Sequence, residues 1–345
     1  MAMVRRIAAV VAIAVVGLAL AACSRKITRV EVTQEPQTCF QCHSDTSTFL
    51  VAAQQQWENS KHASGETLGE NNSDCKGCHT SEGFVARATG TTIPDVVNNP
   101  TSIHCFTCHA PHSNGNFRLR WTTIATLANN TTYNLNAGNL CAACHHARKN
   151  VSTYVTARTT LSTYWGPHHG PQADMLIGSN GYEYAGYTYE RTTHREAVTS
   201  GGKGGCIECH MKTTLENRVG GHSFNMAFSD EGSEVEVLNT AACAPCHGTI
   251  ADFSDVDGVQ DEVSGLIDTL SVRLVAANLL DGTTLLPKAV TTSADSAGAV
   301  WNYLIARDDR SEGVHNAKYI EGLLNSSIQF LQGPPRGARL ARAHR

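Results

Sequence analysis

The sequence predicts a mainly α fold with much irregular structure, in which a loop-rich body precedes a set of C-terminal helices. A Cys-x-x-Cys-His pentapeptide occurs six times between residues 39 and 247 of the 345-residue chain. The same span is rich in Gly, Asn, Thr and Ser and has no long amphipathic segment, whereas apolar residues recur at helical spacing after residue 250. A body with so little apolar periodicity needs more than its own side chains to fill a core.

The first 22 residues predict an export signal. Two arginines precede a short apolar run that ends in Leu-Ala-Ala, directly before Cys23. This ending resembles a bacterial lipoprotein signal, which implies lipidation of Cys23, and Ser24 favours the outer membrane. An ordinary secretory signal that happens to contain a cysteine is the alternative. We expect an exported chain, lipid-anchored to the outer membrane on its periplasmic or cell-surface face, with residues 23–38 as a polar tether.

The six pentapeptides account for twelve of the thirteen cysteines and predict cofactor attachment. They are Cys39-Cys42-His43, Cys75-Cys78-His79, Cys105-Cys108-His109, Cys141-Cys144-His145, Cys206-Cys209-His210 and Cys243-Cys246-His247. Disulfides, zinc clusters or redox pairs would give no reason for a histidine after every cysteine pair. The pattern is typical of c-type haem, in which two thioethers hold the porphyrin and the histidine is the proximal iron ligand. We therefore expect six covalent haems in a body at residues 39–250, where the macrocycles supply much of the core.

Ten further histidines are available as the second axial ligand of each iron. The predicted distal set is His62, His112, His168, His194, His222 and His315. His112 is too close in sequence to His109 to reach the opposite face of the same haem, so it should serve a neighbouring haem. The choice between His168 and His169 stays open, as do the roles of His104 and His146.

Methionine is the competing ligand, but only Met175, Met211 and Met226 follow the signal. Histidine at both axial positions gives a lower potential than a His/Met pair. The chain should therefore carry low-potential haems, and each ligating imidazole should donate its other N–H to a carbonyl or carboxylate.

Residues 251–332 predict a C-terminal helical region. Apolar residues from Val259 to Leu274 recur at helical spacing, with Asp255 or Asp257 as a candidate N-cap. A second helix is expected at 294–307 and a third from Ile320 to Leu331, ended by Gly333. Residues 333–345 should form a disordered basic tail. Before this region, the tyrosine-rich stretch 148–205 is expected to be a long loop packed on a haem.

Several motifs together resemble the superfamily of cytochrome c554 and the pentahaem nitrite reductases, a broad group that includes extracellular electron-conducting cytochromes of metal-reducing bacteria. They are Trp57-x-x-Ser60-x-His62, Cys-His-Ala-Pro-His112, Gly-Pro-His-His-Gly-Pro-Gln172, Gly-His222-Ser-Phe and Gly-Val-His315-Asn, within residues 36–332. The resemblance implies that His315 is a distal ligand and that neighbouring haems alternate between stacked and perpendicular pairs.

The sequence departs from the enzymes of this superfamily in one respect. Ammonia-forming nitrite reductases typically carry one Cys-x-x-Cys-Lys motif, but none of the six motifs here ends in Lys. With enough histidines to close every iron, we expect an electron carrier without catalytic residues, which relays single electrons to other redox proteins or to extracellular acceptors. The alternatives are a nitrite- or hydroxylamine-type reductase with one open haem, and a subunit of a cytochrome filament, so homo-oligomer formation stays open. The net charge of −4 gives no basis for nucleic-acid binding.

Overall fold

The structure, a computed structural model, describes residues 48–333 except positions 66, 68, 73, 74, 115, 116, 193, 195–203, 231, 232 and 234. The chain divides into two compact units, Met1–Leu50 and Val51–Arg345. The predicted signal, Cys23, the tether, the first motif with Cys39, Cys42 and His43, and the tail beyond Gly333 lie outside the described residues. Within the described part, no helix is both long and apolar enough to cross a membrane.

The described residues are mostly helical, with short strands and much irregular structure, which confirms the predicted fold class. The helices are α1 (Thr48–Glu58), α2 (Lys76–His79), α3 (Ser81–Thr89), α4 (Cys105–Cys108), α5 (Pro111–Asn114), α6 (Gly138–Ala142), α7 (Val151–Tyr154), α8 (Gln172–Ile177), α9 (Ile207–His210), α10 (Ala244–His247), α11 (Val259–Ala276), α12 (Ala294–Asp309) and α13 (Ala317–Gln332). The strands are β1 (Ala125–Thr126), β2 (Thr132–Tyr133), β3 (Thr159–Thr160), β4 (Ala227–Ser229), β5 (Glu236–Leu238) and β6 (Thr291–Thr292), and they form the antiparallel pairs β1–β2, β3–β6 and β4–β5.

Each described Cys-x-x-Cys-His motif forms one helical turn. In all five, the backbone N–H of the histidine donates to the carbonyl of the first cysteine at 2.8–3.0 Å. Residues three and four positions apart lie on one face of a helix. The turn therefore places both thiols and the imidazole of a motif on the same side of the backbone.

The three longest C-terminal helices pack together around a core of fully buried side chains. Leu270 and Leu274 of α11, Trp301 and Ile305 of α12, and Ile320 of α13 are all 0% exposed. These helices confirm the C-terminal helices of the predicted fold class, and Ser293 caps α12 by accepting the N–H of Ser296. The predicted N-cap of α11 was wrong, because the helix begins after Gly258, whose φ of +64° suits glycine, and not after Asp255 or Asp257.

Much of the tyrosine-rich stretch packs against these helices. The hydroxyl of Tyr182 donates to Asp295, and that of Tyr184 donates to the backbone carbonyl of the same residue. The Tyr189 hydroxyl donates to Ser326, and β3 pairs with β6. Tyr182, Tyr184 and Tyr189 thus attach the stretch to the C-terminal helices; its packing on a haem stays a prediction.

A second, smaller core lies beside the fourth motif. Leu127, Tyr133 and Leu135 pack with Ala142 of α6, and the buried Asn139 side chain accepts the backbone N–H of Leu135 at 2.7 Å. The Tyr133 hydroxyl lies 3.3 Å from the Cys206 sulfur of the fifth motif. This small core therefore fixes the fourth and fifth motifs side by side.

Candidate haem sites

The ten motif cysteines in the described part of the chain are all free thiols. Thiols from different motifs also lie close enough to shift each other's pKa, Cys78 with Cys144 and Cys141 with Cys206. The fourth motif therefore lies directly against the second and the fifth. Free cysteine pairs on one helical face are the arrangement that two thioether bonds to one porphyrin require.

Each described motif histidine faces one of the predicted distal histidines. The five pairs, with the distances between their ring centroids, are His62 and His145 (6.1 Å), His79 and His168 (6.4 Å), His109 and His222 (6.3 Å), His194 and His247 (5.9 Å), and His210 and His315 (6.3 Å). In every pair the two histidines come from different segments of the chain. The pairing is therefore produced by the packing of the short helices and turns.

The spacing of these rings fits a bridging metal ion. A metal–imidazole nitrogen bond is about 2.0–2.1 Å, and ring bonds of about 1.33 Å place the nitrogen about 1.1 Å from the ring centre. Two imidazoles bound to opposite sides of one metal ion should therefore have centroids about 6.3 Å apart. The observed distances of 5.9–6.4 Å cluster around that value.

Most of the paired rings are held by a hydrogen bond at Nδ1. Backbone carbonyls accept from His109, His168, His194 and His210 at 2.6–2.8 Å, the Gln172 side-chain oxygen accepts from His145 at 3.3 Å, and the Asp309 carboxylate accepts from His315 at 2.7 Å. An imidazole that donates from Nδ1 keeps the Nε2 lone pair free for a metal. The acceptors of these six rings are of the kind that the sequence led us to expect for ligating imidazoles.

Burial keeps several of the paired imidazoles neutral. Burial lowers the pKa of His62 to about 4, and it also lowers the pKa of His145, His168, His210 and His222. Because metal ions bind neutral imidazole, a depressed pKa leaves these rings in the ligating form at neutral pH.

The end of α12 holds two of the candidate ligands from different haem sites. The Gln172 side-chain amide donates to the carbonyls of Asp308 and Asp309 while its oxygen faces His145. Asp309, 2% exposed, binds His315. Burial opposes protonation of His315, but the neighbouring Asp309 carboxylate outweighs burial and raises the pKa of the imidazole.

From the sequence, neither Asp309 nor Gln172 was predicted to hydrogen-bond a candidate ligand. A usable signal for Asp309 was present: two acidic residues end a helix, where the helix dipole disfavours negative charge.

The structure separates His168 from its neighbour His169. The ring of His168 faces His79, and its backbone takes a φ of +78°, which is uncommon for a residue other than glycine. His169 instead lies 3.2 Å from an Asp308 oxygen, with its side chain 74% exposed. His168 is therefore the one in position to act as a ligand.

The other histidines have different surroundings. His104 caps α4 by accepting the N–H of Phe106 at Nδ1, so its proton lies on Nε2. His146 places Nδ1 2.7 Å from the carbonyl of Ala147. His112 lies against the Phe106 ring at 5.7 Å. Met175, a competing axial ligand, is buried in the C-terminal core.

Cysteine pairs on single helical turns, with an imidazole facing each following histidine, are the features of the multihaem c-type cytochromes. The chain is similar to the C-type polyheme cytochrome OmcB of Geobacter sulfurreducens, in strain DL-1 / KN400 and in strain ATCC 51573 / DSM 12127 / PCA. Identity to each is 23% over 361 aligned residues, which cover 83% of this chain and 46% of the relative. The chain thus spans about half the length of the curated relatives it matches. No family model and no solved structure matches it.

Proposed function

We propose that this protein is a hexahaem c-type cytochrome that relays single electrons through low-potential haems in the cell envelope. The observation that carries the proposal is the set of five imidazole pairs at 5.9–6.4 Å, each made of one motif histidine and one histidine from another segment. The distant similarity to a polyheme cytochrome supports the same class. When bound, haem supplies the one-electron redox couple.

The proposed ligand set follows the pairs. The second to sixth haems take His79 with His168, His109 with His222, His145 with His62, His210 with His315, and His247 with His194. His112 stays the sixth proposed distal ligand, for a haem other than that of His109.

Contacts between motifs suggest the route of the electrons. The proximity of Cys78 to Cys144 and of Cys141 to Cys206 connects the fourth motif to the second and the fifth. The His62 ring packs at 5.1 Å on Phe224, which packs on His222 and so connects the fourth haem to the third. Asn239, which precedes the sixth motif, donates to the carbonyl of Cys209 in the fifth. The fourth haem is therefore proposed as the branch point of the relay.

The pairing favours a carrier over a reductase. A catalytic iron needs an open coordination position, but each of the five described motif histidines already faces a second imidazole. The reaction proposed is therefore electron transfer to another redox protein or an extracellular acceptor. Anchoring through a lipid on Cys23 is proposed from the sequence alone. A Cys23→Ala protein that still sediments with the membrane fraction would contradict it.

Quantitative EPR of the oxidised, haem-loaded protein tests the function directly. We expect only low-spin ferric haem and no reaction of the reduced protein with carbon monoxide, because every iron carries two imidazoles. A high-spin signal from one haem, together with turnover of nitrite or hydroxylamine, would replace the relay by the reductase.

A further inference from the structure

The C-terminal end of α12 places a buried carboxylate on one of the paired imidazoles. Asp309 Oδ1 accepts the Nδ1–H of His315 at 2.7 Å, and its other oxygen accepts the hydroxyl of Ser311. The Asp309 side chain is 0% exposed, so water does not compete for this bond. His315 faces His210, the histidine of the fifth motif.

This contact differs in kind from the others. The Nδ1 acceptors found for His109, His168, His194 and His210 are neutral backbone carbonyls, and the acceptor for His145 is the neutral amide of Gln172. A hydrogen bond to an ionised acceptor is about twice as strong as one between neutral groups, and the low dielectric of a buried site strengthens it further.

The consequence for an iron between His210 and His315 follows from charge. A carboxylate that draws the Nδ1 proton gives the imidazole part of the character of an imidazolate, which makes it a more basic ligand. A more basic, more negative ligand stabilises the ferric ion over the ferrous ion, because the ferric ion carries one more positive charge.

We propose that Asp309 is a positioning residue that lowers the reduction potential of the fifth haem through His315. The inference rests on the proposed function, since it requires iron between His210 and His315. The fifth haem would then have a lower potential than it would with a neutral acceptor at His315. The proposal also gives a role to an acidic residue at the C-terminal end of a helix, where the helix dipole disfavours negative charge.

Asp308 provides a matched control on the same helix end. Its carboxylate has a similarly low exposure, 10% of the side chain, but it pairs with Arg307 at 2.8 Å and with His169 at 3.2 Å. Neither partner belongs to an imidazole pair. Asp308→Asn therefore removes one negative charge from the same place without touching a candidate ligand.

The test is a potentiometric titration of the haem-loaded protein at one fixed pH, followed by visible and EPR spectroscopy. Asp309→Asn should raise the potential of a single haem so that its ferric–ferrous equilibrium constant shifts at least tenfold, about 59 mV for one electron. Asp308→Asn should shift no haem by as much. An Asp309→Asn protein that keeps all its low-spin haem and every potential would overturn the inference, as would equal shifts in both variants.

Two further variants keep the result decisive if Asp309→Asn folds poorly. Ser311→Ala removes the other donor to the same carboxylate, and with it the hydroxyl that accepts the His315 backbone N–H at 3.2 Å. It should shift the same haem to lower potential, and a rise would contradict the inference. His315→Ala separates this inference from the proposed function. If His315→Ala leaves every haem low-spin, the ligand assignment itself is wrong, whereas a new high-spin haem with no effect of Asp309→Asn removes only the role of Asp309.

Discussion

Substitution of His222 by alanine should open one haem and leave the others closed. His222 lies on the 3₁₀ turn Gly221–Ser223, and its ring is 6.3 Å from that of His109. Under the proposed ligand set, the third haem would then keep only its proximal ligand, His109. One of six haems, about one-sixth of the iron, should then change from low-spin to high-spin.

The fold should survive this change. The backbone N–H of His222 donates to Gln56 at 3.0 Å, a bond that alanine keeps, and the carbonyl of Phe224, two residues later, still accepts from His210 at 2.8 Å. The side chain is half-buried and makes a ring contact with Phe224 at 6.1 Å. Its removal should therefore cost less than the 2–5 kcal/mol typical of a large core truncation.

The assay is EPR spin quantification of the oxidised protein, with carbon monoxide binding to the reduced protein as a second readout. His104→Ala is the matched control, because His104 lies beside the same motif but caps α4. The control should lose about 0.5–2 kcal/mol of stability, as for other N-caps, and show no high-spin haem. The assignment is refuted if His222→Ala remains wholly low-spin, or if His104→Ala gives the same high-spin fraction.

Three further predictions concern stability. Burial raises the pKa of Asp174 to about 7, so the folded protein keeps a proton that the unfolded chain releases near pH 4. The free energy of unfolding should therefore fall by at most ~4 kcal/mol from pH 4 to 7. Asp174→Asn should flatten this fall in melting curves recorded at several pH values, and unchanged curves would oppose the prediction. Trp301→Ala should cost about 3–5 kcal/mol because the ring is fully buried; denaturant titration showing under 1 kcal/mol would count against the C-terminal core. Gly220→Ala should cost about 1–3 kcal/mol, since its Cβ would lie 2.0 Å from the Lys212 carbonyl oxygen at a φ of +68°; an unchanged melting temperature would contradict this.

The sequence was most informative where the chemistry is local. A helical turn brings residues three and four apart to one face, so each pentapeptide determines the arrangement of two thiols and one imidazole without help from the rest of the chain. The C-terminal helices were also predictable, because their apolar residues keep a helical period from Val259 onwards.

What the sequence could not provide is which imidazole faces which. His62 meets His145, and His194 meets His247, through the packing of short helices and turns, which leaves no periodic signal. The contacts of the tyrosine-rich stretch could not be predicted for a related reason: its partners, such as Asp295, lie more than a hundred positions later in the chain. Which of His168 and His169 faces His79 depends on the left-handed backbone conformation of His168, whose φ is +78°.

The central claim is that one iron lies between the two imidazoles of each pair. Anomalous scattering at the iron edge from crystals of the haem-loaded protein tests it most directly. We expect an iron peak near the midpoint of each of the five imidazole pairs, bonded to both rings. An iron bonded to only one of the paired rings, or a distal histidine bound to a different motif from the one assigned, would contradict it.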